Sequence, residues 1–216
     1  KDEGFTVNFG PVADLNVNPK NQIIAKFGRS YGKSAKTVTA YDEAFINAHH
    51  DAGLLTALKH FPGHGSSTAD SHAGFVDISK TWSPVELDPY KALFADGYDD
   101  FVMVGHLYHK DYTGTDGAKL PASLSPDWIE GVLRGQLKFA GVVVSDDLEL
   151  WRPLLMQPRE RLAPYSALVS LATVLARRGG AASEADDRVL ELGVRARLSA
   201  ALRVVGIGSA VVRRGP

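Results

Sequence analysis

The 216-residue sequence predicts an α/β fold of the (β/α)8-barrel type, incomplete, with about four central β/α units and a mainly helical C-terminal tail. Three observations carry this. Four strand-like apolar runs alternate with three segments bearing helix start and stop signals, which is half of an eight-stranded barrel. The run Val142-Val-Val144 reads as a strand buried on both faces, the mark of a parallel sheet. That strand ends at Ser145-Asp146-Asp147, and barrels of parallel strands carry their chemistry at strand C-terminal ends.

The elements follow in order. Thr6 to Val12 is the first strand and leads to Asp14. Asn18 to Ser30 is a long irregular loop, as a substrate-binding insertion after that strand would be. Ser34 is placed to cap a helix that runs to about His50, with Gly53 past its end. Leu54 to Lys59 is the second strand and Pro84 to Ala95 the second helix. Phe101 to Gly105 is the third strand, Ser125-Pro126 opens a helix to about Leu137, and Gly141 to Ser145 is the fourth strand.

The most informative stretch is 59–72, Lys-His-Phe-Pro-Gly-His-Gly-Ser-Ser-Thr-Ala-Asp-Ser-His. It reads as a loop that is expensive to order and buries little, so its polar groups point to chemistry rather than stability. Asp70 and His72 lie two apart, close enough for the carboxylate to orient the imidazole and tune it as a proton donor and acceptor. Taken alone, an Asp-x-His pair is also compatible with an ordinary solvated loop. His60, His64, Asp70 and His72 are the right residue types for zinc. However, Phe61-Pro62-Gly63 between the first two histidines forbids the helical i, i+4 geometry of a strong zinc motif, so metal is disfavoured.

At the end of the fourth strand, a carboxylate has two uses, nucleophile or general base, and one structural alternative, the N-cap of the next helix. Asp147 is assigned to the cap and Asp146 to chemistry.

Six blocks together resemble glycoside hydrolase family 3, in particular its bacterial β-N-acetylglucosaminidase (β-hexosaminidase) branch. They are Asn8-Phe-Gly-Pro-Val-Ala-Asp14, Gly28-Arg-Ser-Tyr31, Lys59-His-Phe-Pro-Gly-His-Gly65 with Asp70-Ser-His72, Val102-Met-Val-Gly-His106, Pro121-Ala-Ser-Leu-Ser125 and Gly141-Val-Val-Val-Ser-Asp-Asp-Leu148. They occur in the family's order and spacing across residues 5 to 150. The resemblance implies a TIM barrel and a retaining exo-glycosidase. Asp146 matches the nucleophile that forms a covalent glycosyl-enzyme, and His72, backed by Asp70, matches the acid/base. The family pattern further suggests that the loop carrying this dyad closes over the bound sugar. Arg29, Lys59 and His60 match contacts to the hydroxyl groups of a terminal N-acetylglucosamine, a role that suits charged donors. His106 ends a strand and should face the barrel mouth, where a sugar contact and a packing role are equally open. His49 and His50, on a helix, and His109, in a loop, are given no catalytic role.

The chain also departs from the family. It begins with Lys1, close to what would be the third barrel strand, so the first two strands are expected to be missing. With them would go an aspartate and an arginine of the sugar pocket. The last two strands are not recognisable after Leu150. Composition changes at the same point: residues 151–216 hold no lysine, 11 of the 13 arginines and a balance of +6, against −7 for residues 1–150. The domain reading is therefore a partial barrel over 1–150 and a divergent Arg/Ala-rich tail over 151–216. Two natural helices would explain that tail, as would a basic nucleic-acid or membrane surface. A shifted reading frame or a fusion is favoured over both. Arginines spread evenly among Ala, Leu and Val argue against the basic surface.

The expected substrate is a β-N-acetylglucosaminide oligosaccharide from peptidoglycan or chitin, with peptidoglycan recycling as the setting. No metal or organic cofactor, nucleic acid or membrane partner is implied. No cysteine and no signal or transmembrane run leave the compartment open between cytoplasmic and secreted. Open barrel edges are expected to promote self-association. The alternatives are a β-glucosidase-type exo-glycosidase, from a different class a catalytically dead fragment that only binds sugar or serves as a scaffold, and third a metal hydrolase.

Overall fold

The computed structural model describes residues 5–69, 76–113 and 119–147. Its elements in chain order are β1 (Val7–Asn8), α1 (Ala35–Asp51), β2 (Leu55–Phe61), β3 (Val76–Asp77), a 3-10 turn (Pro84–Leu87), α2 (Asp88–Ala95), β4 (Phe101–Val104) and β5 (Leu107–Tyr108). A second 3-10 turn (Ala122–Leu124), a π-wound helix (Asp127–Gln136) and β6 (Val142–Ser145) complete them. β1, β2, β4 and β6 lie side by side in that order, every pair parallel. Spatial order follows chain order, as in a barrel and unlike a doubly wound sheet. Among the described residues the sheet is open rather than closed. β3 and β5 form a separate two-stranded parallel ribbon.

Local chemistry explains most of the boundaries. α1 buries Val38, Asp42 and Ile46, spaced by four, so one stripe of the helix is turned inward. Ser34 holds the extended N-cap conformation, but its hydroxyl makes no capping bond. The other end closes as a Schellman motif, with Leu54 N–H donating to His49 O (2.9 Å) and Gly53 N–H to His50 O (2.8 Å).

The continuous helix expected over Pro84 to Ala95 is divided, and α2 begins only at Asp88. Pro89 accounts for this: inside one long helix it would lack a donor and clash with the carbonyl of Val85.

The strands differ from expectation at two bulges. Val7 pairs with Leu55 and Val12 with Lys59, five steps against four, so the first strand is broken around Gly10-Pro11. Pro11 has no N–H to give. β2 does not stop at Lys59. It continues through a register shift in which Lys59 pairs with Met103 and Phe61 with Val104, leaving His60 as the bulged residue. The described part of that stretch, 59–69, is therefore not a loop that buries little, because Phe61, His64 and Ser67 are all inaccessible to solvent. β3 and β5 were not anticipated; two residues each are too short to show a period.

The core lies between the sheet and the helices. Leu58, Phe61, Val102 and Val104 from the strands meet Tyr90, Leu93, Trp128 and Leu133 from the helices. Phe61 presents its ring edge-on to Tyr90 (5.5 Å) and Trp128 (5.9 Å), a favourable quadrupole arrangement. This packing fixes the C-terminal ends of β2 and β4. The candidate site is built there.

Candidate active site

Four parallel strands bring four polar segments to one edge of the sheet. The β1 extension delivers Asp14, β2 delivers Lys59 and His60, β4 leads to His106, and β6 ends at Ser145-Asp146. Asp14 is fully buried and is the hub. It accepts hydrogen bonds from His60 N–H (3.2 Å), His60 Nδ1 (2.7 Å) and His64 N–H (2.7 Å). Burial pushes its carboxyl up, but His60 and His64 more than offset this and hold it below the usual carboxylate range. The bulge at His60 turns its ring toward that carboxylate, so sequence neighbours on one strand serve different partners.

The segment after β2 is held from several sides. Asn21 Nδ2 donates to His64 O (2.7 Å) and lies 3.0 Å from Ser67 Oγ, while its Oδ1 accepts from the amides of Ile23 and Ile24. The long 18–30 loop is thus anchored to the 64–67 segment by a buried amide. Gly65 is required there, since a Cβ would come within 1.7 Å of Leu15 O. On the far side Trp82 Nε1 donates to Pro62 O (3.0 Å). His64 is buried, bonds Ser67 Oγ through Nδ1 (2.6 Å), and is held below its ordinary value by desolvation.

Asp146 is half-buried, and its backbone N–H continues the sheet by donating to Val104 O (3.0 Å). Its carboxylate acts electrostatically on Lys59, His64 and His106. Lys59 is lowered first by burial; Asp146 and Asp14 pull it upward and Arg29 pushes it further down. Arg29 is exposed, its guanidinium 5.2 Å from the Phe27 ring centroid. Arg29, Lys59, His60 and Asp146 are therefore brought to one locality.

His106 bonds Ser123 Oγ through Nδ1 (2.7 Å) and Asp147 O through Nε2 (3.1 Å). A carbonyl only accepts, so Nε2 carries the proton and Nδ1 receives one from Ser123. Burial keeps the ring below its ordinary pKa. Both ring nitrogens are engaged by protein, and Asp146 acts on the ring directly as well, through its charge.

Asp70 and His72 lie outside the described residues, as do residues 151–216. The cap role expected of Asp147 concerns a helix that also lies outside them. Among the described residues no group of three or more His, Asp or Glu side chains is arranged to hold a metal ion. Of the histidines without an assigned role, His49 bonds Phe45 O (2.8 Å) and His50 bonds Asp100 (2.6 Å). His109 is buried among Trp82, Tyr112 and Trp128. Asp14 and His64 were missed as site residues. Asp14 carried the same signal as Asp146, a carboxylate just past the end of a parallel strand.

The chain's kinship is decided by the family comparison: residues 1–168 match the glycosyl hydrolase family 3 N-terminal domain. The chain belongs to glycosyl hydrolase family 3. The family's N-terminal domain is of TIM-barrel type, and the open parallel sheet with its helices is part of one. Beta-hexosaminidase LpqI of Mycobacterium tuberculosis is 40% identical over 151 residues, covering 67% of this chain and 37% of the relative. Among solved structures, the β-N-acetylhexosaminidase of Beutenbergia cavernae superposes with a TM-score of 0.67 at 29% identity, over 78% of this chain and 49% of that one. The family 3 β-N-acetylglucosaminidase of a Paenibacillus gives 0.67 at 28% identity, over 98% and 42%. This family 3 chain thus spans between 37% and 49% of the length of these relatives.

Proposed function

We propose that the chain is the catalytic part of a retaining exo-glycosidase that removes terminal β-linked N-acetylglucosamine. The observation that carries this reading is Asp146 at the end of β6, with Lys59, His64 and Arg29 gathered on its side of the sheet edge in a family 3 chain. The activities for which the relatives are named, β-hexosaminidase and β-N-acetylglucosaminidase, support the substrate class.

In the first step the Asp146 carboxylate attacks the anomeric carbon as the bond to the leaving oxygen breaks. His72 gives its proton to that oxygen. In the second step His72 takes a proton from water, the water oxygen bonds to the anomeric carbon, and Asp146 is released unchanged. Asp70 holds the His72 imidazole in orientation and stabilises it when protonated. Lys59 and exposed Arg29 supply donors for the hydroxyl groups of the sugar, and the His60 ring, whose Nδ1–H is held by Asp14, offers Nε2 as an acceptor. Peptidoglycan and chitin fragments are the natural substrates this chemistry suits.

The test is release of chromophore from an aryl β-N-acetylglucosaminide, beside the matching β-glucoside, for the chain and its Asp146→Asn and His72→Ala variants. Turnover confined to the N-acetyl substrate and lost with Asp146→Asn is expected. Turnover of the glucoside alone would assign the chain to the β-glucosidase type, and sugar binding without turnover would make it a sugar-binding piece. Loss of activity on exhaustive chelation would favour a metal hydrolase.

A further inference from the structure

Glu86 has no part in the chemistry above, yet it is one of the most buried charged residues, 1% exposed, in the 3-10 turn before α2. Its Oε2 accepts a hydrogen bond from Ser66 N–H (3.2 Å), while Oε1 has no partner among the described residues. The contact is close along its whole length: a Cβ on Gly63 would lie 2.6 Å from Glu86 Cβ and 2.9 Å from Oε2. Gly63 also has φ +122, so glycine is needed there on two counts.

Burying a carboxyl with one oxygen unbonded costs stability that an apolar side chain of equal volume would not. What it supplies is an acceptor for the amides of a segment with no secondary structure to satisfy them. Asp14 takes the His64 amide and Glu86 takes the Ser66 amide. Two buried carboxyl groups thus hold the backbone at His64 and at Ser66.

We infer that Glu86 is a positioning residue of this site. It anchors the Gly65–Ser66 backbone and, through it, keeps the arc from Lys59 to His64 in place beside Asp146. Its importance for turnover rests on the glycosidase reading; the anchoring itself does not.

The groups that face Glu86 are Asp14 from the segment after β1, Tyr90 from α2, the Ser66 side chain, and the Gly65 and Ser66 amides. Burial raises the Glu86 carboxyl to about 7, Asp14 adds to this, and the bonds from Ser66 and Gly65 work against it. The strength of the anchor should therefore vary near neutral pH, because a carboxylate accepts more strongly than a carboxylic acid.

The experiment is amide exchange read by mass spectrometry on the full chain, following the peptide over 61–69, for the native protein, Glu86→Gln and Glu86→Met. Glutamine keeps the volume and the acceptor; methionine keeps the volume alone. Exchange in Glu86→Met about tenfold faster than native is expected, with Glu86→Gln close to native. Native-like protection in Glu86→Met, or exchange in Glu86→Gln as fast as in Glu86→Met, would overturn the proposal. If Glu86→Met does not fold, pH dependence decides. Native protection, corrected for intrinsic exchange, should step near pH 7, while Glu86→Gln should not; the same step in both would refute the anchor. In the chromophore assay Glu86→Met should lower kcat more than it changes KM, and Glu86→Gln should restore it. A native chain with no turnover would count against the glycosidase reading, while exchange would still decide for or against Glu86.

Discussion

Among the described residues, two histidine–aspartate pairs tie separate segments together, one at each end of the sheet. At the C-terminal edge His60 bonds Asp14 at 2.7 Å with both side chains inaccessible or nearly so. At the opposite edge His50 bonds Asp100 at 2.6 Å, with the histidine side chain 42% exposed. The pair chemistry is the same and the surroundings are not. Asp100 otherwise serves the start of β2, accepting from Thr56 N–H and Thr56 Oγ1 (both 2.9 Å), and so clamps α1 to the strands. Asp14 collects the amide and ring of His60 and the amide of His64, and its charge reaches Lys59. Position relative to strand direction separates a structural clamp from a functional hub.

That contrast can be broken most sharply by chemistry. Asp146→Asn should reduce turnover of an aryl β-N-acetylglucosaminide by about 10⁴-fold, the order seen when one member of a catalytic set is removed. Asp100→Asn, at the other edge, should leave kcat within about twofold, since it touches no reacting group. Comparable losses in the two variants would erase the distinction between the ends.

Stability gives the next largest effect. Asp14→Ala strands a buried imidazole and two buried amides and should cost about 3–5 kcal/mol by denaturant titration. Asp100→Ala removes a partner from the exposed His50 ring and from the amide and hydroxyl of buried Thr56 and should cost about 1–3 kcal/mol. Equal costs would mean that the two pairs differ only in name.

Asp42 sharpens the comparison through pH. It is buried on α1 with neither carboxyl oxygen bonded among the described residues, and burial, with Asp14 adding, raises it to about 8. A raised carboxyl binds its proton more tightly in the folded state, so its penalty is absent below about pH 4 and complete above about pH 8. Glu86 acts in the same direction between its ordinary value of 4.5 and about 7. These two carboxyls should therefore make melting temperature fall as pH rises through this window, against the opposite contribution of buried His64 and His106, whose lowered values favour the folded state as pH rises toward 6.5. Asp42→Asn should raise it near pH 8 and change it little near pH 4. A pH-independent effect of Asp42→Asn would contradict the burial argument. The smallest change belongs to His50→Ala, expected to cost under about 1 kcal/mol because the imidazole is exposed and Asp100 keeps its bonds from Thr56.

Much of this was legible in the chain itself. The parallel alternation, the order of the strands and the placement of Asp146 at a strand end follow from the valine run, the helix signals and the motif around it. The interrupted edges were not. Bulges at His60 and near Gly10-Pro11 are set by pairing across the sheet, and Pro89 divided a helix whose apolar pattern runs on through it. Asp14 stayed without a role because its partners lie 46 and 50 residues away, a distance no local pattern reports. Glu86 lay unremarked within the helix expected over Pro84 to Ala95, since nothing local reveals that the turn faces Gly63. His106 stood between two roles until Ser123 and the Asp147 carbonyl were found on its two nitrogens.

The central claim is that Asp146 is the nucleophile of a two-step displacement. Its most direct test is mass spectrometry of the full chain quenched during turnover of a fast-leaving aryl β-N-acetylglucosaminide. The peptide ending β6 should gain the mass of one N-acetylglucosaminyl residue, mapped to Asp146 and absent from Asp146→Asn. Steady turnover with no such adduct, retained in Asp146→Asn, would contradict it.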